Sequence, residues 1–331
     1  MREQNNSKKA RLHLLGCGGT IAGLASSPLD FFGYTAGAAQ VGAVLAKLPE
    51  IEALAEWQTE DFCQVGSENA GPELWLQIAR RCSEVLQDEA VDGLVITSGT
   101  DTLEELAYFL HLLLKTDKPV VLTGAMRPLS AYGTDGPVNL YNAAAVAASP
   151  ESRGKGVLLV MNDTIISARQ ATKQDSFRLH TFGGGEFGPL GYVAAGQVRF
   201  AALPWHCHTQ TTEFYLADIH KLPKVEIFYM SGGADARLLS AMADLGASGV
   251  VLAGFGNGTF SDEVGEQLRL LIARGIVCAV ASRTQSGFVV SHLTGLLPAT
   301  DLSPQKARIL LLLALACGKT SKDMERYFAL Y

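Results

Sequence analysis

Short unbroken apolar runs alternate with longer segments of helical period along almost the whole chain, and few architectures accommodate that rhythm. The runs fall at residues 12–15, 93–97, 120–123, 157–161, 225–229, 250–253 and 277–281. Strands that are apolar at consecutive positions are covered on both faces, as in a parallel sheet between layers of helices. The intervening segments 72–87, 103–115, 138–148 and 261–273 carry the helical period. Together they predict βαβ units and a doubly wound α/β fold. Thr102 with Glu105 has the spacing of a capping box for the helix ending near Lys115. Ser303, Pro304 and Gly318 have the pattern of a cap, a first turn and a stop around a leucine-rich helix.

With 331 residues, at about 150 per domain, two domains are expected. The rhythm breaks at 201–223, a stretch holding His206, Cys207, His208, Pro204 and Pro223. The expected division is an N-terminal domain over 1–205, a linker over 206–223 and a C-terminal domain over 224–331. The first is a larger, mostly parallel sheet flanked by helices and the second a smaller α/β domain.

Composition narrows the functional classes. Hydrophobic residues at 48% against 18% charged exclude a disordered chain. The longest apolar run, 309–317, is about half of what a membrane-spanning helix needs. Net charge is −6, and no basic block could neutralise a row of phosphates, so neither nucleic acid nor membrane is an expected partner. The six cysteines are scattered and read as free thiols, which favours the cytoplasm. Residues 1–11 are polar with no apolar export core behind them; a periplasmic location would require a signal peptide already removed.

In open α/β sheets ligands bind beyond the carboxyl ends of the strands. Two loops there combine glycines with a threonine: Gly16-Cys17-Gly18-Gly19-Thr20-Ile21-Ala22-Gly23 and Ser98-Gly99-Thr100-Asp101-Thr102. A dinucleotide fingerprint fails because Ile21 stands where its third glycine belongs. A phosphate loop at Gly318-Lys319-Thr320 fails because Leu313 stands where the motif needs glycine. Asp101 is either a helix cap or an acid beside the Thr100 hydroxyl, and Lys173 either a surface residue or a proton acceptor within reach of both. His206, Cys207, His208 and His220 lack the spacing of a metal site. No G-x-S-x-G elbow is present, and Cys17 reads as loop packing rather than as a nucleophile.

These loops, taken with segments elsewhere, carry a resemblance. Gly18-Gly19-Thr20-Ile21-Ala22-Gly23, Tyr34-Thr35-Ala36-Gly37, Gly66-Ser67-Glu68 and Gly99-Thr100-Asp101-Thr102-Leu103-Glu104-Glu105 are followed by Gly124-Ala125-Met126-Arg127-Pro128 and Asp135-Gly136-Pro137-Val138-Asn139. Met161-Asn162-Asp163, Ala171-Thr172-Lys173, Gly188-Pro189-Leu190-Gly191, Gly256-Asn257-Gly258 and Pro304-Gln305-Lys306-Ala307-Arg308 complete the series. In this order, over nearly the whole chain, they resemble the bacterial L-asparaginases, in the type II-like asparaginase/glutaminase branch.

The resemblance implies hydrolysis of the side-chain amide of L-asparagine to aspartate and ammonia, without metal or cofactor. Thr20 matches the nucleophile that forms an acyl-enzyme and Tyr34 the tyrosine that assists it. Thr100, Asp101 and Lys173 match a second hydroxyl–acid–amine set. Ser67, Glu68 and Asp101 match contacts to the α-carboxylate and α-amine of the substrate. The backbone near Thr100 and Ala125 matches the oxyanion site. The Tyr34 segment matches a mobile lid, and the assembly implied is a homotetramer built from intimate dimers. Ser98 and Thr259 depart from the family pattern, and residues 285–300 lack the acid that relatives carry there. The alternatives are a dual glutaminase–asparaginase, a glutaminase, and a non-catalytic amide-binding module. An amidotransferase subunit acting on tRNA would need a further domain or partner.

Overall fold

A computed structural model describes residues 9–331, so residues 1–8 of the polar N-terminal stretch lie outside the described residues. The chain divides into two compact units, 1–205 and 206–331.

The first unit is built on eight strands: β1 (Ala10–Gly16), β2 (Ala55–Asp61), β3 (Gly93–Thr97), β4 (Val120–Thr123), β5 (Val157–Met161), β6 (Thr164–Ser167), β9 (Gly191–Ala194) and β10 (Gln197–Phe200). A two-stranded ribbon, β7 (Thr172–Lys173) with β8 (Phe182–Gly183), stands apart from that sheet. The helices are α1 (Val41–Leu45), α2 (Pro72–Gln87), α3 (Leu103–Leu113) and α4 (Gly136–Ala148). The strand order is β10-β9-β6-β5-β4-β3-β1-β2. From β2 to β5 all pairings are parallel, and β6, β9 and β10 extend the sheet antiparallel.

Burial follows from the residues. Leu14, Val95, Val121, Leu158 and Val160 pack with Leu140, Ala143, Ala144 and Val146 of α4. The run of alanines lets that helix lie close to the sheet, where dense packing is worth most. Helix α3 is apolar nearly all round and is correspondingly buried. Its His111 is kept satisfied there by accepting the Val157 N–H through Nδ1 at 3.1 Å. Thr102 occupies the N-cap of α3, but the predicted capping box does not form: its hydroxyl donates instead to the Ser67 carbonyl at 3.0 Å. A loop that needs anchoring has taken the hydroxyl that the helix end would otherwise use.

The second unit has four parallel strands in chain order, β11 (Val225–Tyr229), β12 (Gly249–Gly254), β13 (Val277–Ser282) and β14 (Leu296–Pro298). It carries α5 (Arg237–Asp244), α6 (Asp262–Ala273), α7 (Pro304–Ala316) and α8 (Ser321–Leu330). Ser303 caps α7 by accepting from Lys306 N, Pro304 fills the first turn, and Gly318 leaves it with φ +63°. Arg308 on α7 donates through Nε to the Val225 carbonyl at 2.8 Å, tying the helix to the start of β11.

The stretch 206–223 is not loose. Phe214 is fully buried against the rings of Tyr327 and Tyr331, at 5.2 and 5.4 Å between centroids. Glu213 accepts from Arg326 at 2.6 and 2.7 Å and from the Tyr327 hydroxyl at 2.9 Å. His208 begins a short 3-10 turn, held in a reciprocal cap with Thr211.

Candidate active site

The register of the larger sheet brings four chain segments to one edge. Gly16 pairs with Asp61 on one side and with Thr97 on the other, and Thr97 pairs with Thr123. The chain therefore leaves β1, β2, β3 and β4 at a common carboxyl edge, carrying Thr20, Ser67, Thr100 with Asp101, and Ala125. These were far apart in the sequence, and parallel pairing alone makes them neighbours.

Two glycines allow the first loop to reach the third strand's loop. Gly18 and Gly19 have φ of +76° and +80°, a region that side chains with a Cβ rarely occupy. A Cβ on Gly19 would stand 2.2 Å from Gly99 N, and one on Gly18 2.5 Å from the Val65 carbonyl oxygen. The backbones are joined there: Cys17 N donates to Thr97 O at 2.8 Å, Gly19 N to Val65 O at 2.9 Å and Gly37 N to Gly19 O at 3.0 Å.

Thr20 opens a 3-10 turn directly after these glycines and is 7% exposed. Its Oγ1 lies 2.6 Å from the Tyr34 hydroxyl. Lys173, on the short strand β7, donates through Nζ to Thr100 Oγ1 at 2.9 Å and to Asp101 Oδ1 at 2.6 Å. Asp101 is therefore not the helix cap, a position that Thr102 holds, and Lys173 is not a solvated surface residue. Both sets open into one pocket of about 170 Å3, lined by Thr20, Tyr34, Thr100, Asp101 and Lys173. Its remaining lining comes from Phe31, Phe32, Met126, Arg127, Ser176 and Phe177.

Ser67 is buried at the back of this arrangement, where its Oγ accepts the Asp101 N–H at 3.1 Å. Glu68 is exposed and folds back over Gly66, accepting from Asn69 Nδ2 at 3.0 Å. Neither Ser67 nor Glu68 lines the pocket, so the structure does not bring these two to its wall. Ala125 is fully buried, with Met126 and Arg127 reaching the pocket after it. The 124–127 loop is held from α4: Asp135 accepts from Met126 N at 3.0 Å and from Arg127 N at 2.9 Å, while Asn139 Nδ2 donates to Gly124 O at 3.0 Å.

Cys17 is buried beside the loop that carries Thr20. Hydrogen bonding with the Cys63 thiol, reinforced by burial, pushes its pKa up, and the same bond lowers that of Cys63. A thiol held protonated in this way makes a poor nucleophile. Burial likewise raises Cys278, to about 12.

Reading from sequence missed the aromatic lining. Phe31, Phe32 and Phe177 stand in polar, glycine-containing loops, where large apolar residues have no periodic role. That mismatch was the available signal. Arg127 had a signal too, lying just past the carboxyl end of β4.

The N-terminal asparaginase family model matches residues 11–206, and the glutaminase/asparaginase C-terminal domain model matches residues 224–328. The glutaminase-asparaginase of Pseudomonas fluorescens biotype A is 40% identical over 332 residues, covering 98% of this chain and 91% of that protein. L-asparaginase 2 of Bacillus subtilis strain 168 is 39% identical over 324 residues, covering 97% and 86%. The crystal structure of a probable cytoplasmic L-asparaginase from Campylobacter jejuni matches with a TM-score of 0.95 at 40% identity, over 98% of this chain and all of that one. With both domain models matched in order and full-length relatives near 40% identity, the chain belongs to the glutaminase/asparaginase family.

Proposed function

We propose that the protein is an L-asparaginase, hydrolysing the side-chain amide of L-asparagine to L-aspartate and ammonia through a threonine acyl-enzyme. The observation that carries this reading is the convergence on one pocket of two hydroxyls, each already in contact with a proton-handling partner. Thr20 Oγ1 is the nucleophile, attacking the amide carbon as its proton leaves along the 2.6 Å contact to Tyr34 and on to solvent. A threonine hydroxyl is a weak nucleophile until such a path exists. The Thr100 oxygen accepts from Lys173. Its own proton is therefore left to give to the departing amine, and Lys173 can replace it. Water then attacks the acyl carbon and returns its proton to Lys173 through Thr100; Thr20 leaves as the hydroxyl, regaining its proton through Tyr34 and releasing aspartate. Asp101 holds the Lys173 ammonium in place and offers its second oxygen to the substrate amine. Backbone amides near Thr100 and Ala125 face the developing oxyanion; one such donor typically contributes about a hundredfold or more in rate.

Ser67 acts in this scheme through Asp101, whose amide it holds, and Glu68 reaches the substrate amine only by swinging off Gly66. The two-domain division at 206–223, a homotetramer of intimate dimers and a cytoplasmic location complete the proposal. Free thiols and the solved relative described as cytoplasmic support the compartment. Sedimentation equilibrium reads the assembly. A dual glutaminase–asparaginase is the second reading, favoured by the Pseudomonas relative of that name.

Ammonia release from L-asparagine and L-glutamine tests both. Asparagine turnover that falls by about a thousandfold or more in Thr20→Ala, with the fold intact, supports class and nucleophile. A folded wild type that releases ammonia from neither amide sinks the assignment, and tight asparagine binding without turnover would replace it with the amide-binding module.

A further inference from the structure

The mouth of the pocket carries an aromatic contact that this reaction scheme leaves unused. Phe32, two residues before Tyr34, stacks on Phe177, four residues after Lys173, with ring centroids 6.1 Å apart and planes at 27°. Both rings line the pocket, yet they are 77% and 56% exposed, so neither is placed by burial in a core.

Each ring is presented by a turn wound on an aspartate. Asp30 Oδ1 accepts the amides of Phe32 at 3.1 Å and Gly33 at 2.6 Å. Asp175 Oδ1 accepts those of Phe177 at 2.8 Å and Arg178 at 2.7 Å. Both aspartates sit in otherwise separate loops, and each aims its phenylalanine at the other.

The rest of the Tyr34 loop is tethered elsewhere. Its base closes through the paired amides of Leu24 and Thr35, and Tyr132 N holds Pro28 O at 2.9 Å. Arg127 lies over the Phe31 ring at 5.2 Å. Between the tip of this loop and the loop that follows Lys173, the Phe32–Phe177 stack is a direct link among the described residues.

We propose that Phe32 and Phe177 form a clasp: positioning residues that hold the Tyr34 loop against the Lys173 loop and so keep the two hydroxyl pairs in register across the substrate. The proposal rests on the amidohydrolase reading above. The clasp also roofs a pocket whose floor is polar, so the site opens to substrate and water when the rings part. A contact of this kind shifts the closed fraction by about two- to tenfold.

The test is a double-mutant cycle on the full-length protein, with hydrogen exchange of the resting enzyme beside it. Phe32→Ala and Phe177→Ala should each lower kcat/KM for asparagine by about two- to tenfold, with the double variant no worse than either single. Phe177→Tyr, which can still stack, should restore the rate. In Phe177→Ala the amides of residues 24–35 should exchange faster, although the substitution lies in the other loop. Phe177→Leu, which keeps bulk without the stack, should behave the same way in exchange and serves if the alanine variant folds poorly. Single effects that multiply in the double variant, or unchanged exchange across 24–35, overturn the clasp. If the wild type releases no ammonia, the amidohydrolase reading fails, while the exchange measurement still decides whether the loops are clasped.

Discussion

Gly19, directly before Thr20, has almost no conformational latitude. Its positive φ and the 2.2 Å approach to Gly99 N leave no room for a methyl group without parting the loops after β1 and β3. Gly19→Ala should destabilise the fold by about 2–5 kcal/mol, combining backbone strain with overpacking. It should also lose most amidohydrolase activity, because Thr20 is the next residue. Urea unfolding and ammonia release check the two effects; a variant with wild-type stability would mean that the loops tolerate separation. At this scale the threonines were legible, since glycines beside a hydroxyl just past a strand are visible in one dimension. The 2.6 Å Thr20–Tyr34 contact was not, because it depends on how the intervening loop folds back.

Helix α4 does more than cover the sheet. Its leading aspartate, Asp135, makes no cap to its own helix and spends its carboxylate on the amides of Met126 and Arg127. Asn139 and Asn142, further along the helix, hold the turn at Asn162 and Asp163 by bonds of 2.9 and 2.8 Å. Asp135→Ala should cost about 1–3 kcal/mol by orphaning those amides, and should lower kcat for asparagine more than it raises KM. Steady-state kinetics and thermal melting read the two; unchanged kcat would mean that the 124–127 loop keeps its shape unaided. Strands covered on both faces were legible as apolar runs, with β3, β4, β5 and β11 matching their expected limits residue for residue. The edge strand β2, polar at five of its seven positions, was not, because an edge needs only one buried face. The β5–β6 hairpin also escaped. Its signal was the Asn162-Asp163 pair, two residue types that tolerate the positive φ they adopt.

Over the whole molecule, ionisation bears on how the segment 206–223 is anchored. Arg326, followed by the Tyr327 hydroxyl, holds the Glu213 carboxyl below its ordinary value of about 4.5. A carboxylate depressed in the folded state stabilises above that ordinary value, and the contribution is lost as pH falls through the folded one. Melting should therefore fall with acid from about pH 4.5 downward. In Glu213→Gln the midpoint should be lower by about 2 °C at neutral pH, and the acid slope shallower. The pair is half exposed, which keeps the effect small. Identical slopes in the two proteins would remove Glu213 from the acid response.

Fold class, the strands covered on both faces and the candidate threonines of the two glycine loops were legible in the sequence alone. Apolar period and residue type are local properties, readable without knowing what lies across the sheet. Which of those side chains meet was decided by tertiary structure. Parallel register brought Thr20, Thr100 and Ala125 to one edge, the ribbon of β7 and β8 delivered Lys173, and Glu68 was left folded over Gly66, off the pocket wall. Distances between segments remote in sequence are set by packing and loop closure, and no periodicity in the chain encodes them.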